Sequence, residues 1–126
     1  MPLTGFQVVD QTPNIDDSVL IVANDRKGRV VAFVEREALD DYGSKYFGRP
    51  CLSYQQRMFR LRSDNNLAAV AKTISEKYER GETSLLHRYG STLPRVDIDL
   101  ADLERGPRLE VAPLIVLDGA GFQGAR

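Results

Sequence analysis

Tryptophan is absent from this 126-residue chain, cysteine and histidine occur once each, and neither sign of charge prevails, with 17 basic against 18 acidic side chains. Each scarcity removes a class of chemistry. A single cysteine, Cys51, excludes an internal disulfide framework and a zinc site built on several thiolates. It fits a reducing compartment. A net charge of -1 gives no bulk attraction to nucleic acid or to an anionic membrane. No apolar run approaches the ~20 residues that span a bilayer. The opening MPLTGFQVVDQT lacks a charged n-region and an apolar h-region, so no signal peptide is expected. P-loop, HExxH, EF-hand and zinc-ribbon patterns are missing. These absences predict a cytoplasmic protein with no cofactor, no metal and no membrane partner.

What is present reads as a folded domain. Apolar residues make up 42% and charged residues 28%, an ordinary globular balance. A chain of this length forms one domain that buries about two thirds of its unfolded surface.

The longest stretch with one consistent pattern is Leu52–Gly81, LSYQQRMFRLRSDNNLAAVAKTISEKYERG. At 100° per residue, Phe59, Leu67, Val70, Ala71, Ile74 and Tyr78 share an arc of about 120°. Arg57, Arg60, Lys72, Ser75, Glu76 and Glu79 fall mostly outside it. The spacing predicts a continuous helix over about 53–80. Ser53 stands at its N-cap with Gln56 three residues on, and Gly81 just past its end. Ser63-Asp64-Asn65-Asn66 is the weak point, since all four residue types favour caps over helix interiors, and two helices broken there are the alternative. A second, shorter helix is expected over about 36–47, where Ala38, Leu39, Tyr42 and Tyr46 share a face.

The remaining apolar segments read as strands. Gly5–Val9 forms a short edge strand. Ser18–Ala23 and Arg29–Val34 form a hairpin around Asn24–Gly28, with Gly28 supplying positive φ. Neither hairpin strand alternates polar with apolar. Val19, Ile21 and Ala23 face one way and Leu20 and Val22 the other; Val30, Ala32 and Val34 oppose Val31 and Phe33. A hairpin apolar on both faces is covered on both sides. One cover is the long helix. The other is the C-terminal segment or a second subunit, and Val30, Ala32 and Val34 are expected beneath that second cover. Ser84–Leu86 is a further strand before a turn at Tyr89–Ser91. Arg95–Leu100 alternates, with Val96, Ile98 and Leu100 inward and Asp97 and Asp99 outward, and Glu104–Pro107 reads as a turn. Arg108–Leu117 is β-type, with Pro113 confining it to an edge or a bulge. An exposed edge of Leu114, Ile115, Val116 and Leu117 would be a template for another chain.

FVEREALDDY, the helix ending AAVAKTISEKYERG, and VDIDLADL together resemble the small uncharacterised bacterial proteins of domain-of-unknown-function family 1488. The resemblance covers about Asp17–Leu103. Glu35-Arg36 stands where that family usually has Ser or Thr, and Asn66 precedes Leu67 rather than Arg. The segment from Gly106 to Arg126 stands as an extension. The resemblance implies a compact α+β fold. It implies no activity and carries over no catalytic residue.

Four constellations invite sharper readings. Gly119-Ala120-Gly121-Phe122-Gln123-Gly124 matches G-x-G-x-x-G formally, but the mechanism needs a following helix that the sequence does not contain. Residues 119–126 are therefore expected to be a flexible tail. Asp97, Asp99 and Asp102 are candidate ligands for a divalent cation in a hydrolase, against the plainer reading of a charged strand face and a turn. His87 and Cys51 are read as an exposed loop histidine and a small residue beside a helix start. Arg57, Arg60 and Arg62 are candidates for weak nucleic-acid binding, although their helical angles form no single stripe.

The expected fold is therefore one α+β domain over residues 1–118, a small mainly antiparallel sheet with two helices. The expected function is non-enzymatic: self-association as a homodimer, or binding of a protein partner. The expected interaction residues are Leu114, Ile115, Val116, Leu117, Val30 and Ala32. Nucleic-acid binding and metal-dependent hydrolysis are the alternatives.

Overall fold

The β-branched segments assemble into one five-stranded sheet in the order β1-β2-β3-β5-β4, formed by β1 (Thr4–Val9), β2 (Val19–Asn24), β3 (Arg29–Val34), β4 (Ser84–Arg88) and β5 (Ser91–Ile98). The computed structural model describes residues 3–11, 17–49, 53–88 and 90–110. Every pairing is antiparallel except β3 with β5, which run parallel. The fold is the expected α+β domain. No helix among the described residues is long and apolar enough to cross a membrane.

The β2–β3 hairpin closes as its turn residues dictate. Asp25 Oδ1 accepts hydrogen bonds from the backbone N–H groups of Lys27 and Gly28 at 2.8 and 2.9 Å. Gly28 takes φ 146°, which a side chain rarely permits. Opposite pairs Val19–Val34, Ile21–Ala32 and Ala23–Val30 then fall on one face.

Four helices cover that face: α1 (Arg36–Tyr42), α2 (Tyr54–Arg62), α3 (Asp64–Glu79) and α4 (Leu100–Arg105). A π-helical turn, Gly43–Phe47, extends α1, so the shorter helical segment ends where expected, at Phe47. Ala38, Leu39, Met58, Leu61, Val70, Ile74 and Leu103 pack with Val19, Ile21, Val30, Ala32, Val34, Val96 and Ile98 in the main core.

Three expectations need correction. The first concerns the long helix, which is two helices. Ser63 adopts extended angles (φ -63°, ψ 143°) and caps α3, its hydroxyl accepting from the Asn66 N–H at 3.4 Å. The break resets the helical phase. Phe59, placed inward by a continuous helix, is 49% exposed, while Arg57 and Arg60 turn inward beside Met58 and Leu61. The ends match expectation: the Ser53 hydroxyl accepts from the Gln56 N–H at 3.2 Å. At Gly81, N–H bonds from Gly81 to Tyr78 O and from Glu82 to Lys77 O close a Schellman turn.

The second concerns the faces of the sheet. Val30 and Ala32 do not lie under a second cover; they sit beneath the helices, 1% and 2% exposed. The strand period was right, but the helices took the opposite face. The third concerns β5, which starts earlier than expected, at Ser91, and ends at Ile98. Asp99 is an N-cap and Leu100 already helical, and the expected turn at 104–107 begins inside α4. Leu114, Ile115, Val116, Leu117, Cys51 and the Gly119–Gly124 motif lie outside the described residues.

Candidate functional site

Three places on the molecule have features that packing alone does not absorb. The first is the sheet face turned away from the helices. Val22, Val31 and Phe33 form a second apolar cluster there, with Val9, Leu20, Leu86 and Leu93 packed against it half-buried. The cluster crosses all five strands and contains no described helical residue. The Arg95 guanidinium lies 4.3 Å from the centre of the Phe33 ring, a cation–π contact that roofs part of the cluster. Its sequence signal was the lack of alternation in β2 and β3.

The second place is a cleft of about 480 Å³ at the carboxyl ends of β3 and β5, where two parallel strands each hand over to a helix. The Glu35 N–H donates to Ile98 O at 3.1 Å and ties the two handover points together. Asp17, Ser18, Phe33, Glu35, Arg95 and Asp97 line the cleft, among others. Its charges are largely paired: Arg95 Nε donates to Asp97 at 2.9 Å, and Arg36 lies 3.8 Å from Asp17. Glu35 differs. Burial, and then the negative charges of Asp99, Asp97 and Glu37, push its carboxyl above the ordinary value.

Asp97, Asp99 and Asp102 do not converge here as metal ligands. Asp99 and Asp102 form a reciprocal capping box at the start of α4, with N–H to carboxylate distances of 2.9 and 3.0 Å. Asp102 also accepts from Lys77 Nζ at 2.7 Å. Burial alone would raise its carboxyl; the bonds from Lys77 and Asp99 outweigh that and hold it below the usual carboxylate range. Among the described residues no group of three His, Cys, Asp or Glu side chains is placed to hold a metal ion.

The third place lies between α2, α1 and the π-helical turn. Arg57 and Arg60, expected on a nucleic-acid surface, are 5% and 1% exposed, so only Arg62 of the three is at the surface. Arg57 makes a forked pair with Asp40, Nε and Nη2 each at 3.1 Å. The central guanidinium carbon of Arg60 lies over the Phe47 ring, 4.8 Å from its centre. Its Nε, Nη1 and Nη2, and Arg57 Nη1, are buried without a hydrogen-bond partner among the described residues. The sequence signal for this pair was the cap at Ser63, which separates α2 from the apolar stripe of α3.

Beside Arg60, Asn66 is fully buried and every group of its amide is used. Its Nδ2 donates to Arg60 O and to Glu110 O at 2.8 Å each, and its Oδ1 accepts from the Glu110 N–H at 2.6 Å. The polar interruption in the helix stripe is thus a clamp that joins the α2–α3 corner to the chain after α4. His87 sits on β4 rather than in a loop, exposed, with Nδ1 3.0 Å from Thr92 Oγ1.

Comparison with known proteins finds no matching family, no similar curated protein and no similar solved structure.

Proposed function

We propose that this protein acts without catalysis, as a self-association module whose partner is a second copy of the same chain. The observation that carries this reading is the apolar cluster crossing all five strands on the face that no described helix covers. A surface-facing sheet normally alternates polar and apolar residues; this one is apolar on both faces, the pattern of a sheet covered on both sides. Val9 and Leu20 at one end, and Leu86 and Leu93 at the other, keep part of their apolar surface exposed around the buried centre. With a net charge of -1, two copies repel each other little. The two edges of the sheet also differ. β1 carries a register shift between Thr4 and Gln7 with Gly5 at φ 68°, an irregularity that blunts edge pairing. β4 pairs regularly along its whole length, from Ser84 to Arg88, and has neither proline nor lysine. A cytoplasmic location belongs to the same reading.

Sedimentation velocity on the full chain at tens of micromolar tests it. The expected result is a dimer that Leu86→Asp converts to monomer with the fold retained by circular dichroism. A monomeric wild type, or a dimer indifferent to Leu86→Asp, overturns it.

A further inference from the structure

Arginine does not lose its proton at any physiological pH, so Arg60 brings a full positive charge into the interior. Among the described residues, Arg57 takes both oxygens of Asp40, and Arg60 has no hydrogen-bond partner for its guanidinium. One positive charge in this pair is thus left without a described counter-charge. The two arginines are three residues apart on α2 and so occupy neighbouring positions on one helical face. Removing a charge from water without a partner is strongly unfavourable. The fold nonetheless holds Arg60 at 1% exposure.

The way it is held matters. The central carbon of the Arg60 guanidinium lies over the Phe47 ring, 4.8 Å from its centre. The N–H bonds lie in the plane of the group and point outward from its edge. Phe47 thus contacts the charged group, while its three nitrogens stay buried without a hydrogen-bond partner among the described residues. The Asn66 clamp fixes the backbone at the same residue by holding Arg60 O. Arg57 Nη1 adds a fourth unpartnered nitrogen, and the Asp40 fork fixes its orientation in turn. A guanidinium fork whose donors lack a described acceptor matches two oxygens of one anion.

We propose that Arg60, with Arg57 Nη1 contributing, is a binding site for a small oxyanion of the phosphate or carboxylate class. The site is distinct from the sheet face described above, and its test does not depend on self-association. The anion pairs bidentately with the Arg60 edge and supplies the second negative charge that the Arg57–Arg60 pair requires.

The test titrates the full chain with inorganic phosphate and, in a second arm, with acetate, at constant ionic strength set with chloride. Phosphate also stabilises proteins by exclusion from their surfaces, so the readout is the difference between wild type and variant. At ~100-fold over the dissociation constant, a specific site raises the thermal midpoint of the wild type by roughly 5 °C or more. Arg60→Met is expected to lose this saturable shift, and Arg60→Lys, which keeps the charge without the fork, to lose most of it. If the Arg60 variants do not fold, phosphorus-31 line width of inorganic phosphate over wild type decides: saturable broadening, displaced by excess sulfate, is expected. A saturable response in only one arm assigns the anion class. Equal midpoints of wild type in chloride, phosphate and acetate, the same shift in Arg60→Met, or no broadening would each overturn the proposal.

Discussion

The two faces of the sheet are built from the same kind of residue and do different things. On the helix side, Val19, Ile21, Val30, Ala32, Val34, Val96 and Ile98 meet side chains from all four helices. On the far side, Val22, Val31 and Phe33 are also buried, yet their described apolar neighbours all come from the sheet, and the surrounding Val9, Leu20, Leu86 and Leu93 remain half-buried. The difference teaches that burial alone does not assign a role. The first face is closed by what the chain itself supplies among the described residues. The second is closed partly by neighbours within its own strands and by the Arg95 guanidinium over Phe33. Mutations should therefore separate the faces: stability is lost on one, association on the other.

The largest effect is expected at Leu61, fully buried at the centre of the helix-side core. Leu61→Ala should destabilise by about 3 kcal/mol or more, through lost transfer energy and the cavity left behind. Urea unfolding with unchanged m-value measures it. The variant's oligomeric state, compared with wild type under conditions where both are folded, should not change. A shift in that state would show that the two faces are coupled and would weaken the contrast.

Next comes Asn66, whose amide serves three backbone groups at once. Asn66→Ala leaves Arg60 O and both backbone groups of Glu110 without these partners. A cost of about 2–3 kcal/mol is expected from stranding buried polar groups. Hydrogen exchange should localise the loss to the Glu110 amide and the α2–α3 corner, leaving the amides of β2 and β3 protected. Loss of protection across the whole sheet would mean that the clamp supports the core generally rather than one corner.

The periodicity of β2 and β3 made the two-faced sheet legible before any coordinates, and the turn at Asn24–Gly28 followed from residue types alone. What stayed hidden was which face the helices take. Both faces satisfy the same hydrophobic pattern, and the choice depends on the path of the chain after Val34, which is a tertiary property. Arg57 and Arg60 were hidden for a different reason. Their burial follows from how α2 packs through Met58 and Leu61, separated from the stripe of α3 by Ser63, which ends one helix and caps the next. A continuous helix and a broken one share most of their propensities, but they place Phe59 and Arg60 on opposite sides. Similarly, Asp99 reads equally well as the outward residue of a strand or as a cap. Only the bond from the Asp102 N–H decides between them.

Acid should act on the helix side through Asp102, which pairs with Lys77 between α3 and α4. Because the folded carboxyl lies below its unfolded value near ~3.9, the contribution is present above that pH and disappears as pH falls through the folded value. Lys77→Met should cost about 2 kcal/mol at pH 7, since it removes one partner of a largely buried pair. The gap between variant and wild type should close towards pH 2. Thermal midpoints across that range check it, and a gap independent of pH would assign the lysine's value to packing of its stem. Glu35 works in the opposite sense. Its folded pKa is raised, so its contribution is complete below the unfolded value and is lost as pH rises through the folded one.

The smallest effect on stability is the most discriminating between the faces. Leu85 and Leu86 are neighbours on β4, and consecutive strand residues point to opposite faces. Leu86 pairs with Leu93 on the far face, whereas Leu85 opposes Pro94 on the helix side, beyond helix cover, and is 60% exposed. Changing Leu85 to Asp should alter folding stability by no more than about 0.5 kcal/mol, since exposed sites away from special features tolerate substitution. Leu86→Asp should cost somewhat more, about 1 kcal/mol, because the leucine is half-buried at the margin of its cluster. Their effects on self-association should differ far more than their effects on stability. The dimer dissociation constant should rise at least about tenfold for Leu86→Asp, a difference of about 1.4 kcal/mol, and stay near the wild-type value for Leu85→Asp. If both variants dissociate the dimer equally, the contact runs along the β4 edge and takes in side chains of both faces. If Leu85→Asp alone does so, the far face is not the interface, and its apolar character serves the monomer.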